Sequence, residues 1–399
     1  MNVFFLCNKS PFPPREGGPL AINANIQSLL KGGHHVKVLA LNTNKYFTKP
    51  EDIPVEYAKN TGIEFVYVDL SIKPVDAFLN LFSSRSYHVD RFITKDVEHK
   101  IIEILKAERF DIIQLEMLYM TPYIDIIRKY SEAKIVMRSH NIEHKIWERI
   151  AGIMKNPLKK AYISYLAKKL KKFELGHLNS YDGLITISWH DADFFKKNGC
   201  TIPLNEVPFG VDINEYKISD TTTEFPSLFH IGSMNWMPNE EGIRWFIDAV
   251  WPLVKQRFPK LKLYLAGREM PQWLLNLKEQ NIIVLGEVPD AQEFIRSKAV
   301  MVVPLFSGSG IRIKIIEGMA LGKTIISTKI GAEGIHYTDK KNILIANTPE
   351  EYIHAMNYCL DQIEVCEQLG KNARKLIENE HSYDIVLKSL ETFYTKINN

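Results

Sequence analysis

Cysteine is scarce: Cys7, Cys200, Cys359 and Cys366 are the only four in 399 residues. They are scattered and lack metal-ligand spacing, so reduced structural thiols are expected. Long apolar runs are missing too, and no window approaches the roughly 18 apolar residues of a spanning helix. The apolar stretch in MNVFFLCNKS is short and has no basic flank, which suits a buried first strand better than a signal peptide. Cytoplasmic residence is the default expectation. Charge of one sign is also in short supply, with a net charge of only +3. The balance is uneven: residues 1 to 207 hold 29 basic and 23 acidic side chains, whereas residues 208 to 399 hold 21 and 24. A mildly basic first half suits an anionic partner but is too weak to argue for nucleic acid.

What the chain has is alternation. Short β-branched runs (NVFFLC, HVKVLAL, IEFVYVDL, FDIIQL, KIVMRS, GLITIS) are separated by amphipathic segments, and the second half repeats the plan with LFHIG, LKLYLAG, IIVLG, AVMVVPL, TIIST and NILIA. Such alternation predicts parallel sheets wrapped by helices. Two consecutive α/β domains are the simplest account, joined through NEVPFGVDINEY with its Pro208 and Gly210. In open parallel sheets ligands bind outside the carboxyl ends of strands, so the loops that follow strands are the candidates.

One such loop is SGSG, between the strand AVMVVPL and the helical IRIKIIEGMAL. Free N–H groups and glycine at a helix start favour an anion. Arg312 and Lys314 fall where the helix dipole disfavours cations, a costly choice unless an anion binds there. Lys314 and Glu317 are three apart and share a face, so one would meet a phosphate while the other accepts from hydroxyls. A solvated helix start carrying an ion pair fits the same residues.

The order SGSGIRIKIIEGMALGKTIISTKIGAEGI resembles the donor region of family 4 glycosyltransferases. FPPREGG, FDIIQLE, KIVMRSHN and LFHIGSMNWMPNEEGIRWF resemble further parts of that family in the right order, so the likeness covers most of the chain. It implies a GT-B fold, α/β, with two Rossmann-like parallel-sheet domains facing each other across a cleft. Residues 1–207 would bind acceptor, 208–380 the nucleotide-sugar donor, and 381–399 would cross back to the first domain. The implied activity is retaining, metal-independent transfer of a sugar from a UDP- or GDP-linked donor to a hydroxyl of a glycan, lipid-linked or small-molecule acceptor. It needs no cofactor beyond that co-substrate and no nucleic acid. The setting would be surface polysaccharide or glycan synthesis.

The family signature is two glutamates separated by seven residues. Glu317 matches the second, which contacts the nucleotide ribose; Ser309 stands where the first would be. The branch pattern Gly-x-Gly-x-Arg-x-Lys is approached by GSGIRIK, so Gly310, Ile311, Arg312 and Lys314 enter the expected donor site with Gly18, Gly232 and Asn235. The family's usual cations are absent from SMNWMPN, and Arg312 and Lys314 are the candidates to replace them. Arg15, Gly17, Arg138 and Asn141 are expected on the acceptor side. His140 matches a histidine near the reacting centre and is assigned to positioning and charge stabilisation. Glu116 reads either as the base for the acceptor hydroxyl or as a partner of Arg138.

Three features point elsewhere. HNIEH, from His140 to His144, matches an inverted zinc-peptidase motif, which needs both histidines on one helix; KIVMRS running into His140 argues against that. Asp191-Ala-Asp193 resembles a metal-binding pair but opens a helix and reads as a cap. The basic helix 157–175 places Leu158, Tyr162, Tyr165, Leu166, Leu170 and Phe173 on one face and lysines on the other. That suits inward packing with a solvated back, or peripheral contact with the inner face of a membrane. A non-catalytic sugar-nucleotide binder is the remaining alternative, since the first glutamate is missing.

Overall fold

The β-branched runs form two all-parallel sheets in the computed structural model, which describes residues 1–14, 16–218, 223–308 and 310–398. Arg15 and Ser309 therefore lie outside the described residues. The chain divides into two units, one of Met1–Gly210 with Tyr383–Asn399 and the other of Val211–Ser382.

The first unit holds β1 (Asn2–Cys7), β2 (His35–Thr43), β3 (Glu64–Val68), β4 (Ile112–Glu116), β5 (Lys134–Ser139), β6 (Gly183–Thr186) and β7 (Leu204–Glu206). Their order is β3-β2-β1-β4-β5-β6-β7. β7 is a strand that the sequence reading missed; LNE lies within what reads as linker and has no apolar run. β1 pairs with β2 and β4, and Glu116 of β4 stands opposite Arg138 of β5. The second unit holds β8 (Glu224–Ile231), β9 (Lys262–Ala266), β10 (Ile282–Gly286), β11 (Lys298–Val303), β12 (Thr324–Ser327) and β13 (Leu344–Ile345), in the order β10-β9-β8-β11-β12-β13. Both sheets are doubly wound. The order reverses between β1 and β4 in one and between β8 and β11 in the other, and the crevice at such a switch point is where ligands bind.

The chain returns to its first unit at the end. Val386, Leu390, Phe393, Tyr394 and Ile397 repeat at helical spacing along the helix Tyr383–Asn398 and are buried. They pack with Ile22, Ile26 and Leu29 of the helix Gly17–Lys31 against one face of the sheet. No helix among the described residues is long and apolar enough to cross a membrane.

Candidate functional site

In the second unit the turn after β11 meets the loop after β8, at the switch point. Gly310 has φ +77°, a left-handed conformation that glycine adopts at little cost. The helix that follows is Ile313–Ala320, shorter than expected, so Arg312 precedes it at the N-cap position. Arg312 is buried, donates to the Gly310 carbonyl and lies 5.4 Å from the centre of the Trp236 ring. Lys314 crosses to the β8 loop. Its amino group donates to Asn239 Oδ1 at 2.7 Å and lies 3.4 Å from His230 Nε2. Gly232 makes room for it: a Cβ there would come within 2.5 Å of Lys314 Nζ. His230 is fully buried and sits 2.8 Å from the Val302 carbonyl through Nδ1. That bond makes Nδ1 the donor and leaves Nε2 to accept from Lys314.

The charges follow from this packing. Burial pushes the Lys314 amino group down to about 7, helped by Arg312 and opposed by Glu317. Burial and the Lys314 charge hold His230 well below its usual range, hence neutral. Glu317 accepts from the Tyr216 hydroxyl at 3.1 Å, and burial raises its carboxyl against the opposing effects of Tyr216 and Lys314. Lys314 is therefore no solvated partner of Glu317. It is an amine held against a strand end with its charge weakened by burial, so an anion arriving there would favour its protonated form. Asn235 Oδ1 accepts from Ser233 at 2.9 Å, and Ile311 is partly exposed in the turn. Neither His230 nor Asn239 was flagged by sequence. Their only signal is position, at the end of β8 and just inside the helix Met237–Trp245.

In the first unit, His140 follows β5 and is buried. Its Nε2 lies 2.6 Å from Glu116 Oε2. Arg138 Nη1 lies 3.4 Å from both the same Glu116 oxygen and His140 Nε2, and donates to the Ala21 carbonyl at 3.0 Å. Gln114 donates to Glu116 Oε1 at 2.5 Å, and Tyr394 in turn donates to Gln114 Oε1. Burial pushes the Glu116 carboxyl up, but Arg138, His140 and Gln114 more than offset it and keep the group below the ordinary carboxylate range. Burial lowers His140, with Arg138 and Lys9 acting the same way against Glu116, so the ring is neutral and its Nε2–H points at Glu116.

Burial bears on two expectations. Glu116 is 0% exposed with both oxygens engaged, the arrangement of a partner to Arg138 and His140 more than of a base open to an acceptor hydroxyl. Arg138 is likewise 0% exposed, with its guanidinium beside Glu116, His140 and the Ala21 carbonyl. Asn141 is partly exposed beyond the strand, and its carbonyl accepts from Ser139. Gly17 and Gly18 open the helix Gly17–Lys31, and Lys9 lies close enough to Gly18 that a Cβ would meet its Cε at 2.7 Å. A cavity of about 230 Å³ opens there, lined by Lys9, Ser10, Glu16, Tyr46 and Thr48 among others. Glu143 was noted only within the zinc motif. One of its oxygens accepts from Tyr119 at 2.7 Å, and burial raises its carboxyl to about 7.

The zinc reading loses its geometry. The helix begins at Glu143, so His140 lies outside it. His144 Nδ1 lies 2.5 Å from Glu174, which also accepts from the Glu143 and His144 backbone N–H groups and so caps that helix. The Asp191-Ala-Asp193 helix is capped by Ser188, which accepts from the Asp191 N–H; Asp191 lies in the first turn and Asp193 pairs with Lys197 at 2.6 Å. Asp193→Ala is expected to cost well under 1 kcal/mol in a denaturant titration, the usual worth of an exposed i,i+4 pair.

The chain has relatives in sequence and in fold. Residues 225–362 match the family model described as "Glycosyl transferases group 1". An uncharacterized 44.6 kDa protein in the cps region of Klebsiella pneumoniae is 24% identical over 403 residues, spanning 97% of this chain and 98% of that one. Among solved structures, sucrose-phosphate synthase from Thermosynechococcus elongatus is similar with a TM-score of 0.70 at 14% identity, covering 100% of this chain and 99% of that one. Anabaena HepE in complex with UDP is similar with a TM-score of 0.66 at 13% identity, covering 99% and 100%. The fold is GT-B, and the family match together with the fold supports a glycosyltransferase.

Proposed function

We propose that this chain moves a sugar from a nucleoside diphosphate donor to a hydroxyl group with retention of the anomeric configuration. The observation that carries the reading is Lys314, set among Gly232, His230 and Asn239 at the strand ends with its charge suppressed. A diphosphate bound there would restore that charge. Lys314 and Arg312 would neutralise the departing diphosphate without a metal, and Glu317 would accept from the donor ribose. The UDP held by HepE makes UDP the first probe, and the relative in a cps region is in keeping with glycan assembly as the setting.

In the first unit, His140, fixed by Glu116 through its Nε2–H, would serve as a positioning residue that offers Nδ1 as a hydrogen-bond acceptor. Glu143, whose carboxyl burial raises to about 7 while Tyr119 holds one of its oxygens, is a second candidate beside Glu116 to accept the acceptor hydroxyl's proton.

Calorimetry with UDP and GDP tests the donor site. Glu317→Gln is expected to weaken binding of the preferred nucleotide roughly ten- to hundredfold, the loss of one charged acceptor, with the fold intact. Unchanged affinity removes Glu317 from the site. A chelator is expected to leave turnover intact; loss restored by magnesium or manganese would overturn the metal-free reading. Tight nucleotide binding without hydrolysis or transfer would favour the non-catalytic binder.

A further inference from the structure

The first unit carries an apolar surface that the donor chemistry does not use. Ile72, Val75, Phe78, Leu79 and Phe82, in and around the helix Pro74–Asn80, are each 60% to 80% exposed. Phe78 and Phe82 pack edge to face at 5.6 Å, covering one another instead of the core. This ridge is fastened to the basic helix Pro157–Gly176. Tyr165 donates to the Leu81 carbonyl at 2.7 Å, and Lys169 donates to Asn80 Oδ1 at 2.7 Å. That bond draws Lys169 out of the solvated face expected for it and into the interior.

On the same stripe of the basic helix as Tyr165, Leu158 is 81% exposed, and Lys168 and Lys172 follow at the next turns, also exposed. Leu158 and Tyr165 were expected to pack inward, and they do not. Between Lys155 and Phe173 the sequence has seven lysines, no arginine and no acidic residue.

An apolar patch of this kind is rare on a monomer and marks a contact surface. Its chemistry separates the possible partners. Protein interfaces favour arginine, whose planar fork pairs with discrete carboxylates, whereas flexible hydrated lysines suit a diffuse sheet of negative charge. Protruding Phe, Leu and Ile side chains beside such lysines have the composition of an interfacial helix. We propose that this face docks on an anionic phospholipid bilayer, with Phe78, Leu79, Phe82 and Leu158 entering the headgroup boundary and the lysines lying over the phosphates. The inference is independent of glycosyl transfer.

The test is co-sedimentation of the full chain, without nucleotide, with phosphatidylcholine vesicles that do or do not contain phosphatidylglycerol. Partition onto the mixed vesicles is expected to exceed that onto phosphatidylcholine alone by roughly tenfold or more, and to fall with added salt. Phe78→Ser with Phe82→Ser, and separately Lys168→Glu with Lys172→Glu, are each expected to lower it by roughly tenfold or more without moving the thermal midpoint. Leu158→Ser provides the same comparison should the double phenylalanine variant fail to fold. Absence of sedimentation, equal partition onto both vesicles, or variants that bind like wild type would overturn the proposal. So would self-association of the wild type that disappears in Phe78→Ser with Phe82→Ser, which would assign the face to a second copy.

Discussion

Lys314→Met is expected to lower turnover by roughly a hundredfold or more while weakening donor binding less, because negative charge grows on the diphosphate as the glycosidic bond breaks. A second signature separates this role from a merely structural one. Burial holds the free amino group at about 7, against an ordinary 10.5, and a bound diphosphate raises it again. Binding above pH 7 therefore takes up a proton, so nucleotide affinity is expected to fall as pH rises beyond about 7. In Lys314→Met that slope disappears. Stability runs the opposite way. Between about 7 and 10.5 the unfolded chain binds a proton that the folded one releases, so the wild type gains stability relative to the variant as pH rises through that window. Calorimetry across pH and urea titrations across pH read the two slopes. A flat affinity profile in the wild type would remove Lys314 from the phosphate site.

Glu116→Gln is expected to destabilise the first unit by about 3–5 kcal/mol, because it strips the buried Arg138 of its nearest negative charge. His140 would also lose the acceptor that fixes its tautomer. Were Glu116 the base as well, transfer would stop even under conditions where the variant is fully folded, whereas loss of the His140 contact alone would lower turnover only in part. Urea denaturation alongside turnover distinguishes the two. The stabilising contribution of Glu116 is present above the ordinary carboxylate range and is lost as pH falls through its lowered folded value, so the difference between wild type and variant should shrink in acid.

Much of this was legible in the residues. The strands at NVFFLC and IIVLG begin and end where those runs do; the first is buried beyond Asn2, whereas the second, at a sheet edge, is buried only at Ile282. β7 was not legible, because a three-residue strand of LNE is defined only by pairing with β6. Glycine and charge beyond the strand ends made Gly232, Arg312, Lys314 and Glu317 legible as candidates. His230 and Asn239 stayed hidden, since their roles arise only when Lys314 bends across Gly232. Glu116 and Arg138 could be placed at strand ends, but not inside the protein. Their burial depends on register between β4 and β5, and on Gln114 and Tyr394, which are far apart in sequence. Ser188 outcompeted the aspartates as a cap by one turn, a choice settled by backbone geometry at that residue.

The return of the helix Tyr383–Asn398 to the first unit has a consequence for biosynthesis. On a growing nascent chain, all the strands of β1–β7 emerge early, yet Val386, Leu390 and Phe393 arrive only after the whole of Val211–Ser382 has been made. The second unit is contiguous and is complete before synthesis ends. The first must wait, with Ile22, Ile26 and Leu29 uncovered and Gln114 without its tyrosine. Pairing across so long a separation is slow to form, and apolar surface bare in the meantime invites chaperones or aggregation. A chain that stops short of Tyr383 would thus be expected to yield a folded second unit joined to a first unit left open, recognisable by protease resistance confined to Val211–Ser382.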